Sequence, residues 1–347
     1  MQRPSLTIGI PTFNRAGYLE QAVQSVLDQS FRDFELLIVD NASTDATADV
    51  ARKLQERDSR VRYVRNETNL GMTGNWARIA ELAAAPHLKY LMDDDLLLPG
   101  CLERFWDAAQ RHPSCTLVAC LPRYFSVTVV ADGDALRYAP EAPIPGKTMI
   151  EYLNQWCNQI GCPTNVMFRT EALAQIRTFW SRSKEIWAPD LKAFVDALDQ
   201  GDFYCINSPL VAIRVHSQSL SSTTHDRVLQ KEEADELLEI ARRAGGEPRH
   251  YAFAEIHIAR AAFLRGAANV TGFHVRSAVH FLAQWIRSPH ALRGAAMALS
   301  HRCQHFAHSL RRVRASRMGS TTATQTQTTR YRYAAMRTFW AARGYER

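Results

Sequence analysis

No Cys-x-x-Cys pair occurs in this chain of 347 residues, although it holds seven cysteines. Cys157 and Cys162, five positions apart, match no common zinc pattern, so reduced and mostly buried thiols are expected. No apolar run approaches the roughly 20 residues needed to cross a bilayer. The opening stretch, MQRPSLTIGIPTFNR, has no hydrophobic leader core, and a signal peptide is not expected. The first loop, GIPTFNRAG, carries neither Gly-x-Gly-x-x-Gly nor Gly-x-x-x-x-Gly-Lys-Ser/Thr. That disfavours a dinucleotide oxidoreductase and a P-loop ATPase. Acid is nearly missing from the far end: Ile256 to Arg347 holds 15 Arg, no Lys and one acid, Glu346, a balance of +14. With a net charge of +7 for the whole, the preceding residues carry −7. Such a split predicts an acidic catalytic or binding body joined to a part that meets a polyanion, either a membrane surface or nucleic acid.

What is present is a regular alternation. LTIGIP, FELLIVD, VRYVRN, LKYLM and TLVACL read as strands. Between them, GYLEQAVQSVLDQS, ATADVARKLQER, NWARIAELAAA and CLERFWDAAQR have helical spacing of apolar residues. Strands alternating with helices of this length predict an α/β fold, a mostly parallel sheet with helices on both faces. Residues 126–147, rich in Pro, Gly and charge, read as an excursion or lid. Three divisions follow: a first domain over 1–222, a helical region over 223–315, and a polar linker with a basic aromatic tail over 316–347. In the helical region Leu292, Ala296, Leu299, Cys303, Phe306, Leu310 and Val313 form one apolar stripe, with arginines and histidines around it. Both a helix packed on its own domain and an interfacial helix on an anionic membrane fit that pattern. The aromatic, arginine-rich tail RYRYAAMRTFWAARGYER also suits a membrane surface. No nucleic-acid recognition module is visible.

In a parallel sheet, ligands gather beyond the carboxyl ends of the strands. Three polar clusters fall at such ends: PTFNR, DNASTD, and the triple carboxylate Asp93, Asp94 and Asp95. Adjacent like charges repel and gain from a cation. Without a P-loop, a diphosphate needs such a cation, and hard carboxylate oxygens suit Mg²⁺ or Mn²⁺. Alone, each cluster also reads as ordinary local structure: a solvated turn for the three aspartates, an Asx-turn or cap for Asp40, a helix-opening turn for Asn69 and Gly71.

The ordered set IPTFNR, LEQAVQSVLDQSF, FELLIVDNASTD, NLGMTGNWARIAELA and YLMDDDLLLP resembles the nucleotide-binding half of family-2 glycosyltransferases with the GT-A fold. The resemblance is close over the first 105 residues or so and extends loosely to Ser221. It implies an inverting, metal-dependent transfer from a nucleotide-diphospho-sugar to a hydroxyl of a glycan or lipid-linked acceptor, as in surface polysaccharide synthesis. It implies that Pro11 and Thr12, with Arg15 nearby, line the base, that Asp40 accepts a hydrogen bond from it, and that Asn69 and Gly71 lie beside the nucleotide. Asp93 or Asp94 would contact the ribose and Asp95 would ligate the metal. The family's base is usually the Asp of a Glu-Asp pair opening a helix. Here Asp190 in WAPDLKAF takes that position, with Pro189 in place of the Glu, so a helix cap is the competing reading and Asp196 and Asp199 are weaker candidates. His216 in IRVHSQSLSS corresponds to the family's Arg-x-His segment, which reaches metal or diphosphate; a structural histidine is the alternative. Trp156, Trp180 and Trp187 are candidates for acceptor stacking or core packing. A cytoplasmic protein, peripheral on the inner face of the membrane, is the expected setting. The departure at Pro189 keeps a non-catalytic sugar-nucleotide binder as the alternative. A nucleotidyltransferase would need a Gly-rich triphosphate loop that is not evident.

Overall fold

The structure is a computed structural model that describes residues 3–126, 130–132, 140–156, 160–174, 189–216, 340–341 and 344–345. Its first two strands follow from apolar runs with no exposed side. β1 (Leu6–Thr12) is buried along its whole length, and β2 (Phe34–Asp40) nearly so. Strands buried on both faces lose the polar–apolar alternation of a half-solvated strand. Helices α1 (Ala16–Leu27), α2 (Thr47–Arg57) and α3 (Gly71–Leu82) supply the cover, each turning one apolar stripe inward. On α1 that stripe is Leu19, Ala22, Val23 and Val26. Gly9 lets α3 lie close on β1, because a Cβ there would stand 2.3 Å from Ile79 Cγ2.

The remaining elements are β3 (Val61–Arg65), β4 (His87–Tyr90), β5 (Leu96–Leu97), α4 (Cys101–Arg111), β6 (Cys115–Phe125), β7 (Val130–Asp132), α5 (Gly146–Trp156), β8 (Val166–Arg169), α6 (Pro189–Leu198) and β9 (Asp202–Arg214). Short 3₁₀ turns at Pro163–Asn165 and Thr170–Ala172 flank β8. The sheet order is β3-β2-β1-β4-β8-β6-β9-β5, with β7 on β6. Its first four strands are parallel, as the alternation predicts. The second half is mixed. β8 enters antiparallel between β4 and β6, so β6 is not the direct parallel neighbour of β4.

DFYCINSPLVAIR forms the single strand β9, which runs parallel to β6 with register shifts near Cys120, Leu121 and Pro122. Such irregularities bend a strand and re-aim its end. The bent end of β9 pairs with the two-residue β5, Leu96 with Ala212 and Leu97 with Val211. The pairing fixes the end of β9 beside the turn that carries Asp93–Asp95.

The chain divides into two compact units, one of residues 1–150 and 158–233, the other of 151–157 and 234–347. Within the second unit, Trp340 is buried and stacks on Tyr152 with ring centres 4.8 Å apart, while Tyr345 meets it edge-on. At least this tail aromatic is held by protein rather than offered to a membrane. The apolar stripe of 292–313 and the linker lie outside the described residues. No helix among the described residues is long and apolar enough to cross a membrane.

Candidate active site

The three polar clusters do meet on one edge of the sheet. Thr12 stands opposite Asp40 in the β1–β2 register, and Leu91 N donates to Gly9 O at 3.0 Å as β4 ends. The first two loops are laced together: Asn14 N donates to Ser43 Oγ at 2.9 Å and Thr44 N to Asn14 Oδ1 at 2.8 Å. Asn14 and Ala42 both hold positive φ, 53° and 63°. For Ala42 that is a strained conformation, the kind that clusters at binding sites.

Asp40 is fully buried and anchors its own loop. Its Oδ1 accepts from Ser43 N at 2.8 Å, its Oδ2 accepts from Tyr63 Oη at 2.8 Å, and Arg65 Nε lies 3.7 Å away. A bond from the N–H three residues on is cap-type geometry, the local reading of that residue. The carboxylate and burial together raise the Tyr63 hydroxyl far above the ordinary tyrosine range. Asn69 is likewise engaged: its Oδ1 accepts from Asn41 Nδ2 at 2.7 Å and from Gly71 N at 2.8 Å. Asn41, Asn66 and Asn75 continue that network, with Asn66 Nδ2 donating to both Asn41 Oδ1 and Asn75 Oδ1. Gly71, at φ 74°, starts α3 in a conformation that favours glycine.

The triple carboxylate divides by direction. Asp93 turns back toward β1: Thr12, Phe13 N and Arg15 all act on it. Burial outweighs them and pushes its pKa up to about 7. Thr12 Oγ1 stands beside that carboxyl yet is buried without a hydrogen-bond partner at normal distance. Asp95 turns inward and is only 3% exposed. Its Oδ2 accepts from Thr164 Oγ1 at 2.6 Å and its Oδ1 from Arg214 N at 2.9 Å, while burial raises its pKa to about 7. Asp94 is the least buried of the three, its side chain 19% exposed. Its Oδ2 lies 2.9 Å from His216 Nε2, and its carbonyl oxygen accepts from Arg214 Nε at 2.9 Å.

Arg214 is thereby a clamp on the turn. Its guanidinium also stacks on Tyr18 and Phe125, at 4.9 and 4.6 Å, and donates to Gln21 Oε1 at 2.9 Å. His216 lies 5.8 Å from the Tyr18 ring, and its Nδ1 is buried without a hydrogen-bond partner. Asp190 opens α6 behind a buried Pro189, and its Oδ1 accepts from Leu191 N at 2.9 Å. The thiol of Cys162 feels both Asp95 and Asp190, which with burial drive its pKa far upward. Asp190 thus lies within electrostatic reach of a thiol that Asp95 also reaches. Asp196 instead pairs with Lys192 on its own helix. Trp180 and Trp187, and the side chain of Trp156, lie outside the described residues.

Two residues of this corner, Thr164 and Lys89, escape a motif reading. Nothing in CPTNV marks Thr164, whereas a lysine inside the apolar run LKYLM is a visible anomaly.

These donors fit a divalent cation. A carboxylate oxygen and an imidazole nitrogen 2.9 Å apart match two ligands on one ion, each at about 2.0–2.2 Å. Among the described residues no group of three or more His, Cys, Asp and Glu forms a protein-only metal cage. A nucleotide-bound Mg²⁺ or Mn²⁺ does not need one, since phosphates and water complete its shell around one or two carboxylates.

A family model for glycosyl transferase family 2 matches residues 7–177. Those residues form a glycosyltransferase family 2 domain. Its similar relatives include GalNAc(5)-diNAcBac-PP-undecaprenol β-1,3-glucosyltransferase of Campylobacter jejuni, 34% identical over 119 residues, 34% of this chain and 38% of that protein. The putative teichuronic acid biosynthesis glycosyltransferase TuaG of Bacillus subtilis is 29% identical over 226 residues, 63% of this chain and 82% of TuaG. The match thus spans well under half of the Campylobacter relative and most of TuaG. S. aureus TarS 1–349, solved in complex with UDP-GlcNAc, superposes with a TM-score of 0.64 at 15% identity, covering 81% of this chain and 80% of that one. The mannosyltransferase PcManGT from Pyrobaculum calidifontis, solved with GDP-Man and Mn²⁺, superposes with a TM-score of 0.51 at 17% identity over 86% of this chain and 85% of its own. At those identities the two structures establish the GT-A fold for this chain and nothing finer.

Proposed function

We propose that this chain is an inverting glycosyltransferase, moving a sugar from a nucleotide-diphospho-sugar to a hydroxyl of a glycan or lipid-linked acceptor with a Mn²⁺ or Mg²⁺ ion. The observation that carries the reading is the pairing of Asp94 with His216 on a turn clamped by Arg214. Asp94 and His216 would hold the ion, and Asp95 buttresses the turn from inside. This departs from the role that the family resemblance gives Asp95, because both Asp95 oxygens are already bound within the protein. A divalent cation held there would offset the negative charge developing on the departing diphosphate.

The chain's own groups supply the rest. Thr12, beside the Asp93 carboxyl, and Arg15 line the donor side of the rim, where a nucleotide offers acceptors. Asp40 and Asn69 hold the two loops in place. Asp190 takes the proton of the acceptor hydroxyl as its oxygen attacks the anomeric carbon and the bond to the diphosphate breaks on the opposite face. A lipid-linked acceptor is supported by the Campylobacter relative, whose name includes an undecaprenol diphosphate. The +14 segment would bring the enzyme to an anionic membrane from the cytoplasm, with no nucleic acid involved.

The test is a thermal-shift panel of nucleoside diphosphates and their sugars with and without Mn²⁺, followed by transfer assays with the donor that stabilises most. Selective, Mn²⁺-dependent stabilisation and release of the nucleoside diphosphate support the reading. Binding without turnover across all acceptors would favour the non-catalytic binder for which Pro189 is the motive. No binding at all would end the donor assignment.

A further inference from the structure

β4, the strand leading into the carboxylate turn, carries a fully buried cation. Lys89 lies between two apolar neighbours, and its Nζ sits 4.3 Å from the centre of the Phe105 ring on α4. Its charge also reaches the buried thiols of Cys101 and Cys120. Nζ donates to the carbonyl oxygen of Thr164 at 2.7 Å. That acceptor is a neutral peptide group. An apolar side chain of similar length would fill this space without the cost of burying an ammonium, which offsets the loss of one hydrogen bond to the carbonyl. Stability does not account for Lys89.

Its position in the hydrogen-bond pattern does. Thr164 is a fully buried hub. Its carbonyl holds Lys89, its hydroxyl donates to Asp95 Oδ2 at 2.6 Å, and the same oxygen accepts from Met92 N at 3.1 Å. Asp95 in turn holds Arg214 N, and Arg214 Nε holds the Asp94 carbonyl. One continuous set of bonds therefore runs from the ammonium to the peptide that bears the carboxylate of Asp94.

We propose that Lys89 is a positioning residue of the transfer site, fixing Thr164, and through it the Asp94–Asp95 turn, so that Asp94 faces His216. The proposal rests on the reading of this rim as a cation and donor site. Residues behind metal ligands act by orienting them, and their loss typically weakens metal affinity about 10–100-fold while leaving the ligands in place.

The test is Lys89→Met in the full chain, read by Mn²⁺ affinity from electron paramagnetic resonance, by calorimetric binding of UDP and of GDP in Mn²⁺, and by thermal melting. The expected result is a melting temperature equal to or above wild type with Mn²⁺ bound about 10–100-fold more weakly. A residue with a merely structural role would move the melting temperature and leave metal affinity alone. Thr164→Val should show the same loss of affinity and Thr164→Ser, which keeps the hydroxyl, should restore it. This pair carries the test even if Lys89→Met does not fold. The Lys89→Met/Thr164→Val double variant should lose no more than either single one. Wild-type Mn²⁺ affinity in Lys89→Met or in Thr164→Val would overturn the proposal alone. A wild-type protein that binds neither Mn²⁺ nor either nucleotide would overturn the donor-site reading and this proposal with it.

Discussion

Replacing Asp95 by asparagine separates two roles for one carboxylate, direct metal ligand or internal anchor. The side chain is almost fully buried and accepts from Thr164 Oγ1 and Arg214 N. Hydrogen bonds to a charged group contribute about 1.5–3 kcal/mol each. Against them stands burial: a pKa raised from 3.8 to about 7 means that the fold disfavours the ionised form by about 4 kcal/mol. An acid whose folded pKa is raised costs nothing below its unfolded value and costs progressively more as pH climbs to the folded one. Asparagine keeps the acceptor for Arg214 N, and its amide can donate to the Thr164 oxygen. In metal-free buffer at pH 8, Asp95→Asn should therefore be as stable as wild type or more so, by about 1–2 kcal/mol, with the difference vanishing toward pH 4. Urea denaturation with EDTA at the two pH values measures this. In parallel, Mn²⁺ titration should show about a 10-fold loss for Asp95→Asn and near-complete loss for Asp94→Asn. Loss of Mn²⁺ binding in Asp95→Asn with retention in Asp94→Asn would refute the assignment. A destabilisation of Asp95→Asn beyond about 2 kcal/mol at pH 8 would refute the energetic reasoning.

Three further outcomes are expected. Asp190→Asn should cut transfer about 10²–10⁴-fold while leaving donor affinity, measured by calorimetry, unchanged. Gly9→Ala should cost about 1–3 kcal/mol in denaturant unfolding, because the added methyl meets Ile79 under a closely packed helix. Tyr63→Phe removes one of the hydrogen bonds holding the Asp40 carboxylate, so a loss of about 1–2 kcal/mol in stability should accompany weaker nucleotide binding.

The parallel half of the fold was legible because its strands and helices have different apolar periods and α1, α2 and α3 follow their strands closely in sequence. The insertion of β8 between β4 and β6 was not, since VMFR, four residues long, reads the same in either direction. In the site, the gathering of PTFNR, DNASTD and the three aspartates followed from topology alone. The division of labour among Asp93, Asp94 and Asp95 did not. Residues one apart in a turn differ in chemistry only through what each happens to face. Asp95 meets Thr164 and Arg214, 69 and 119 positions away. No local pattern carries partners at such separations.

The amino-acid sequence by itself determined the α/β class, the edge where the carboxylates collect and the family of residues 7–177. Each of these depends on periodicity or on short ordered motifs. Tertiary structure alone decided that Asp94 pairs with His216, that Asp95 is held from inside by Thr164 and Arg214 and that a buried lysine stands behind them. Those facts depend on the bent end of β9 returning to the turn after β4, and on which polar groups are shut away from water once it has.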